Sequence, residues 1–383
     1  MLALRIALRR HGATAAAVVG AALGGAAANP PTLPWGRCVR RAMSQQAVIF
    51  DNALKTAQRS RAARGSAYDD VLHREVANRL VDRLKDCTKT FENVLIVGGA
   101  GVNVARALLQ NAVSVNRITY ADACEEHLRA FDALAADEND VELRSIRTSE
   151  EALEEGLRAA AGGGGEEGGG GSDGPAFDVA ISCLALHWVN DLPSALGQIR
   201  KSLKPDGLFL GALLGGDTIS ELRIACSIAE MEREGGVSPR VSPMARLRDA
   251  GSLMSASGFG LPVVDIDTIQ IRYPHAFAVV QHLREMGESN ANVGRRGVLS
   301  RDTALAALAV FQSMGELRTD GGGEGGQGGQ GGEGGEGERG DENMAPGVTY
   351  QVIYLGGWAP DPSQQRPKDR GAASMSMRSI SEL

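Results

Sequence analysis

Four consecutive apolar residues, Val94-Leu95-Ile96-Val97, run into Gly98-Gly99-Ala100-Gly101, and no other feature constrains the chain as much. A strand with one wet face alternates apolar and polar residues. An unbroken apolar run is buried on both faces, as in parallel sheets covered by helices. After the glycine turn, Val104, Leu108 and Leu109 begin a helix, residues 117–121 read as a second strand, and residues 125–135 as a second helix. Residues 141–146 give a third strand and residues 177–183 another buried one. Leu192, Leu196, Ile199 and Leu203 then mark a helix, with Asp191 placed to cap it and Pro193 in its first turn. Lys204-Pro205-Asp206-Gly207 reads as a turn before a fifth strand over residues 208–214. Strands alternating with helices predict an α/β fold built on a parallel sheet.

Elements are also expected outside this core. Leu72, Val76, Leu80 and Leu84 recur every four residues, the stripe of an amphipathic helix. Thr218 and Glu221 have capping-box spacing at the start of another helix, and a further one is expected from Pro243. Two strand-like runs follow, at residues 263–266 and 269–273, and then two helices. A last strand over residues 348–355 carries a mixed polar pattern that suits an antiparallel edge position.

Composition adds an address and removes some functions. The first 43 residues hold six arginines and no lysine, aspartate or glutamate, which is the make-up of a mitochondrial presequence. The remaining 340 residues carry 34 basic and 47 acidic side chains, a net of −13, so nucleic acid is not the expected partner. The glycines concentrate in two places, 8 within residues 162–171 and 13 within residues 321–340, which read as disordered loops inserted into an ordinary domain. The expected organisation is therefore a presequence (1–43), a helical segment (44–90) and a domain (91–318) with its glycine loop (162–174). A glycine-rich insertion (319–345), a final strand (346–358) and a tail (359–383) complete it. No segment has transmembrane length, and the mature chain is expected to be soluble or peripheral.

A glycine turn between a buried strand and a helix brings backbone N–H groups and a helix N-terminus close to an anionic ligand. Asp122, 24 residues beyond Gly98 at the end of the second strand, is placed to accept hydrogen bonds from ribose hydroxyls. Gly98, Gly99, Gly101 and Asp122 are therefore the candidate cofactor-binding residues. The third glycine of a dinucleotide fingerprint is replaced by Val104, while Ile96 and Ala100 stand where a methyltransferase turn carries an acid and a glycine. Dinucleotide and S-adenosylmethionine both remain open on the turn alone.

The downstream blocks decide. Leu184-Ala185-Leu186-His187-Trp188-Val189-Asn190-Asp191, then Leu203-Lys204-Pro205-Asp206-Gly207, resemble class I S-adenosylmethionine-dependent methyltransferases. More narrowly, they resemble the mitochondrial complex I assembly factor 5 family, the arginine hydroxylase of that pathway, and more distantly the malonyl-carrier-protein methyltransferases. Phe50-Asp51, Leu54-Lys55, Gln58-Arg59, Gly215-Gly216-Asp217-Thr218, Met286-Gly287-Glu288-Ser289-Asn290, Thr349-Tyr350-Gln351 and Gly357-Trp358 extend the resemblance over most of the chain. It implies a seven-stranded, mostly parallel methyltransferase sheet with one antiparallel strand, binding S-adenosylmethionine. It also implies a place in the mitochondrial matrix, with peripheral association at the inner membrane. The implied partner is a core subunit or assembly intermediate of complex I.

His187 and Trp188 sit where a strand's carboxyl end opens into the ligand crevice of such sheets, and are the candidate catalytic pair. Asn190 and Asp191 read as helix caps. Among the six histidines only His73-Arg74-Glu75 makes an H-x-E pair and there is no H-x-D pair, and no protein-bound metal is expected. Glu230, Glu232 and Glu234 with Asp217 form either an acidic mouth for a guanidinium or a solvated helix face; Tyr273 and Tyr350 line the same mouth or the core. Three activities stay open: arginine hydroxylation, plain methyl transfer, and non-catalytic chaperoning of a subunit.

Overall fold

The structure, a computed structural model, describes residues 48–65, 70–111, 114–136, 141–162, 176–320 and 347–365. The expected presequence, the glycine loop beyond Gly162, the glycine-rich insertion from 321 on and the tail after 365 lie outside the described residues.

Two helices precede the sheet. In α1 (Asn52–Ala63) the Asp51 side chain accepts from the Leu54 N–H, and in α2 (Val71–Lys85) Asp70 accepts from the His73 N–H. The Leu72, Val76, Leu80 and Leu84 stripe of α2 is buried, each such side chain contributing about 1.5–3 kcal/mol. Then follow β1 (Asn93–Gly99), α3 (Gly101–Gln110), β2 (Arg117–Asp122), α4 (Glu125–Asp132), β3 (Glu142–Arg147) and α5 (Leu153–Gly162). The second half comprises β4 (Phe177–Cys183), α6 (Leu192–Ser202), β5 (Leu203–Leu214), α7 (Ser220–Glu234) and α8 (Leu247–Ala256). It ends with β6 (Gly260–Ile271), α9 (Ala276–Glu285), α10 (Arg301–Asp320) and β7 (Val348–Trp358).

All seven strands form one sheet in the order β3-β2-β1-β4-β5-β7-β6. From β3 to β5 every neighbouring pair is parallel, and β7 is antiparallel to both β5 and β6. This is the class I methyltransferase sheet. Alternate residues of β1 feed two separate cores, one on each face. Val94 and Ile96 pack with α2 and α3, whereas Leu95 and Val97 pack with Leu196 and Ile199 of α6. Strand order turns back at β1 and β4, so their carboxyl ends open the crevice where such sheets take ligands.

Several elements differ from expectation, each for a local reason. The last strand is interior: β7 lies between β5 and β6, and β6 takes the edge as one strand where two short runs are expected. Its polar residues meet α7, which explains their pattern. Thr218 Oγ1 is hydrogen-bonded to the Gln351 backbone at 3.0 and 3.1 Å, and Glu221 Oε1 accepts from Thr349 Oγ1 at 2.7 Å. Those two side chains therefore clamp β7 instead of forming a capping box, and α7 starts at Ser220. The helix expected from Pro243 starts at Leu247. Lys204–Gly207 falls within the span of β5, its turn character kept as a positive φ at Asp206 and a break in register with β4.

Candidate functional site

The crevice starts at the glycine turn. Gly98 and Gly99 have φ of +63° and +61°, a conformation that side chains disfavour, and the turn closes by a 2.9 Å bond from Ala100 N–H to the Cys183 carbonyl. A Cβ on Gly98 would overlap the Glu150 carboxylate, one on Gly99 the Cys183 carbonyl, and one on Gly101 the Tyr120 ring. The glycines are thus required by close packing against the chain itself. Ile96 is buried in the core beneath α2 and α3 and does not face the turn.

Asp122 ends β2 as expected, with its side chain wholly buried and both oxygens engaged internally. Oδ1 accepts from Cys124 N–H at 2.6 Å; Oδ2 accepts from Tyr120 O–H at 2.7 Å and faces His127 Nδ1 at 3.3 Å. Burial alone would raise its pKa, but the His127 hydrogen bond and the Arg59 charge hold it below the ordinary carboxylate range.

Helix α1 lies over this end of the sheet. Residues 49–51 pair with 291–293 through Asp51 N–H to Ala291 O and Val293 N–H to Ile49 O, both 2.8 Å. Asn190, expected as a cap, fixes the same segment, its Oδ1 accepting from Ile49 and Phe50 N–H at 2.8 Å. Asp191 does cap α6, through Ser194 N–H. Held this way, α1 directs Arg59 at Glu150, with Nη1 to Oε1 at 3.0 Å, while the buried Nη2 has no hydrogen-bond partner. The cavity left between Arg59, Gly99, Ala100, Val102 and Glu288 is about 20 Å³. That is space for a water, whereas small-molecule pockets run to roughly 300–1,000 Å³. With α1 so seated, the residues present do not fit an adenosyl group.

One turn before Arg59, Lys55 reaches a different centre. Its Nζ donates to the Gly287 carbonyl at 2.6 Å and to Glu288 Oε1 at 3.3 Å, and lies 3.5 Å from the centroid of the Trp188 ring. Glu288 Oε2 accepts from Trp188 Nε1 at 2.7 Å and bonds His187 Nε2 at 3.0 Å. Since a carboxylate only accepts, Nε2 carries the proton, and Nδ1 of a neutral ring is a bare acceptor with no partner. Burial lowers the pKa of His187 against the pull of Glu288, and burial lowers Lys55 to about 7. Burial opposes ionisation of Glu288 as well, but Lys55 and His187 hold it well below the carboxylate range.

Glu288 and Trp188 also line a second cavity of about 190 Å³, walled by Leu214, Leu222, Met244 and Leu283. The expected pair is therefore brought together with Glu288, Lys55 and the end of β4, and separated from Asp122. The acidic mouth does not assemble. Glu230 is buried against Ser238 and Arg240, Glu232 is exposed, Glu234 pairs with Arg296, and Asp217 accepts from Gln351. Tyr273 and Tyr350 belong to the core, hydrogen-bonded to each other at 2.8 Å, with Tyr273 also bonded to His282. The sequence reading missed the roles of Lys55, Arg59, Glu150 and Glu288. Three of these lay in blocks that carried the family resemblance, and that was the available signal.

Comparison with known proteins agrees with this architecture. Residues 172–211 match the family model described as "Methyltransferase domain". The mitochondrial arginine-hydroxylase NDUFAF5 of Danio rerio is 33% identical over 337 residues, 88% of this chain and 90% of its own. The Homo sapiens protein of the same name is 35% identical, covering 88% of this chain and 84% of its own. A malonyl-[acyl-carrier protein] O-methyltransferase of Methylovorus sp. is more distant, 28% identical across 83% of this chain and 92% of its own. With a third of its residues shared along nearly the whole of both chains, this protein belongs to the mitochondrial arginine-hydroxylase NDUFAF5 family.

Proposed function

We propose that this chain is a methyltransferase-fold assembly factor of mitochondrial complex I that hydroxylates an arginine of a core subunit. The observation that carries the reading is Glu288, a buried carboxylate between His187 and Trp188 at the edge of a cavity sized for one long side chain. In this reading His187 stays neutral with Nε2 donating to Glu288, and Trp188 fixes the carboxylate and covers a cation. The printed names of the relatives support the activity and the compartment. The arginine-rich, acid-free first 43 residues support import, and the reading assigns the protein to the matrix, peripheral to the inner membrane. Among the described residues no helix is long and apolar enough to cross a bilayer.

Gly98, Gly99, Gly101 and Asp122 stand where such a sheet would hold S-adenosylmethionine, but with α1 seated as it is the crevice does not fit that group. Arg59 and Glu150 fill it instead. That closure favours a second reading, a non-catalytic chaperone of a complex I subunit. Mass spectrometry of complex I core subunits from cells with and without the protein decides between them. An arginine that loses one oxygen in its absence supports the hydroxylase, and a lost methyl group supports plain methyl transfer. No change in any subunit, with assembly still failing, leaves the chaperone.

A further inference from the structure

The Glu288 centre is a buried cation site filled by the protein's own lysine. An ammonium brings three N–H groups. Lys55 directs two at Gly287 O and Glu288 Oε1 and lies against the Trp188 face. Two further buried acceptors, His187 Nδ1 and Gln58 Oε1, have no hydrogen-bond partner. They belong to side chains bonded to Glu288 and to the Asn290 carbonyl, and Glu288 and Asn290 both line the second cavity. Buried acceptors without donors are costly and uncommon; these two do not line the second cavity, and the residues of the centre that do are Glu288 and Trp188.

A guanidinium suits Glu288 and Trp188: five N–H groups in a plane that matches a carboxylate fork and stacks on an indole. The cavity supplies the approach. Leu214, Leu222, Met244 and Leu283 offer apolar walls for a three-carbon stem, and Glu288 lines the same cavity. Of the positive side chains that line that cavity, Arg240 is paired with Glu230 at 2.6 Å and Arg284 is exposed; Arg59, whose charge also acts on Glu288, is bonded to Glu150 at 3.0 Å.

We infer that Glu288, the Trp188 face and the Gly287 carbonyl form a guanidinium site entered through the second cavity, and that Lys55 is its internal occupant, displaced when an arginine of a partner polypeptide enters. This deepens the proposed function and rests on it for the identity of the partner. The binding chemistry stands by itself. Lys55 is then a gate, and Glu288 with Trp188 determines specificity for arginine over lysine or a neutral side chain.

The test is calorimetric titration of the full chain with N-acetyl-arginine methylamide, with the lysine and norleucine analogues as controls. Lys55→Met should bind the arginine probe at least tenfold tighter than wild type. Adding Glu288→Gln should abolish that binding. Adding Leu222→Trp, which narrows the cavity and leaves the charges in place, should weaken it at least tenfold, so the result does not depend on Glu288→Gln folding. Equal affinity in wild type and Lys55→Met, or binding unmoved by Leu222→Trp, overturns the site; so does a lysine analogue that binds as well as arginine. Hydroxylation is read separately, by the mass spectrometry above. Lost hydroxylation in knockout cells with a failed titration sinks this inference alone, and a successful titration with no hydroxylation sinks only the proposed function.

Discussion

Two hollows at the same end of the sheet, both bordered by Glu288, have been treated very differently. The one over β1 and β2 keeps the glycine turn and the terminal aspartate of a nucleoside-binding sheet, yet its glycines pack on the chain, its aspartate bonds inward and about 20 Å³ remains. The one beside β4 and β5 has about 190 Å³, apolar walls and a paired carboxylate. The contrast teaches that retaining a motif is different from retaining its vacancy. A signature read from backbone requirements survives when packing alone demands it. A recognition site is marked by open space beside a charged group.

The sharpest way to break the contrast is at the Lys55–Glu288 pair, which is 5% and 7% exposed. Lys55→Met strands a buried carboxylate and should cost about 3–5 kcal/mol in urea unfolding. The double variant with Glu288→Gln should recover a good part of that loss. A single-variant cost under about 1 kcal/mol would falsify the view of an ionic core here. On the other side, Gly99→Ala sets a side chain at φ +61° against the Cys183 carbonyl, and should cost about 1–3 kcal/mol by the same measurement. A neutral result would mean that the turn relaxes freely and that the hollow is not rigidly filled.

Arg59→Ala probes whether closure excludes the nucleoside. S-adenosylmethionine should bind the variant about tenfold tighter than wild type by calorimetry, near 1.4 kcal/mol. Unchanged affinity would show that Arg59 is not the plug. The pH response is subtler. Lys55 titrates near 7 when folded and near 10.4 when unfolded, so the unfolded chain binds more protons between those values and stability from this group rises with pH across that window. Tryptophan fluorescence should follow the lysine, with a midpoint near pH 7 in wild type that is missing in Lys55→Met. The smallest effect is expected at the solvent end of the same helix region. There Arg64, largely exposed, pairs with Glu126 at 2.7 Å, and Arg64→Ala should cost under about 0.5 kcal/mol in the same urea experiment. A larger cost would mean that α1 is held in part from the surface.

The sheet was legible because its signals are local. Unbroken apolar runs, a glycine turn and a capped helix each state their own conformation. The position of Asp122 was legible for the same reason, but its hydrogen bonds were not, since the helical approach of His127 and the Tyr120 hydroxyl had to be oriented by packing first. Lys55 and Glu288 are 233 positions apart and neither is unusual in sequence; the pairing of residues 49–51 with 291–293, with Asn190 and Gln58 holding the same segments, brings them together. The misread edge position of β7 has a similar origin. Thr349 and Gln351 look solvent-facing until their partners on Thr218 and Glu221 are known.

The middle position of β7 has a consequence for synthesis. Both of its neighbours are complete by residue 271, but the strand that joins them begins only at Val348, after the long glycine-rich stretch. Until the ribosome has passed that point, β5 and β6 each present an unsatisfied backbone edge to the surroundings. A stop codon in the glycine tract would therefore release a chain with every residue of the Glu288 centre and a split sheet, a product fit for chaperones and proteases before it is fit for any partner.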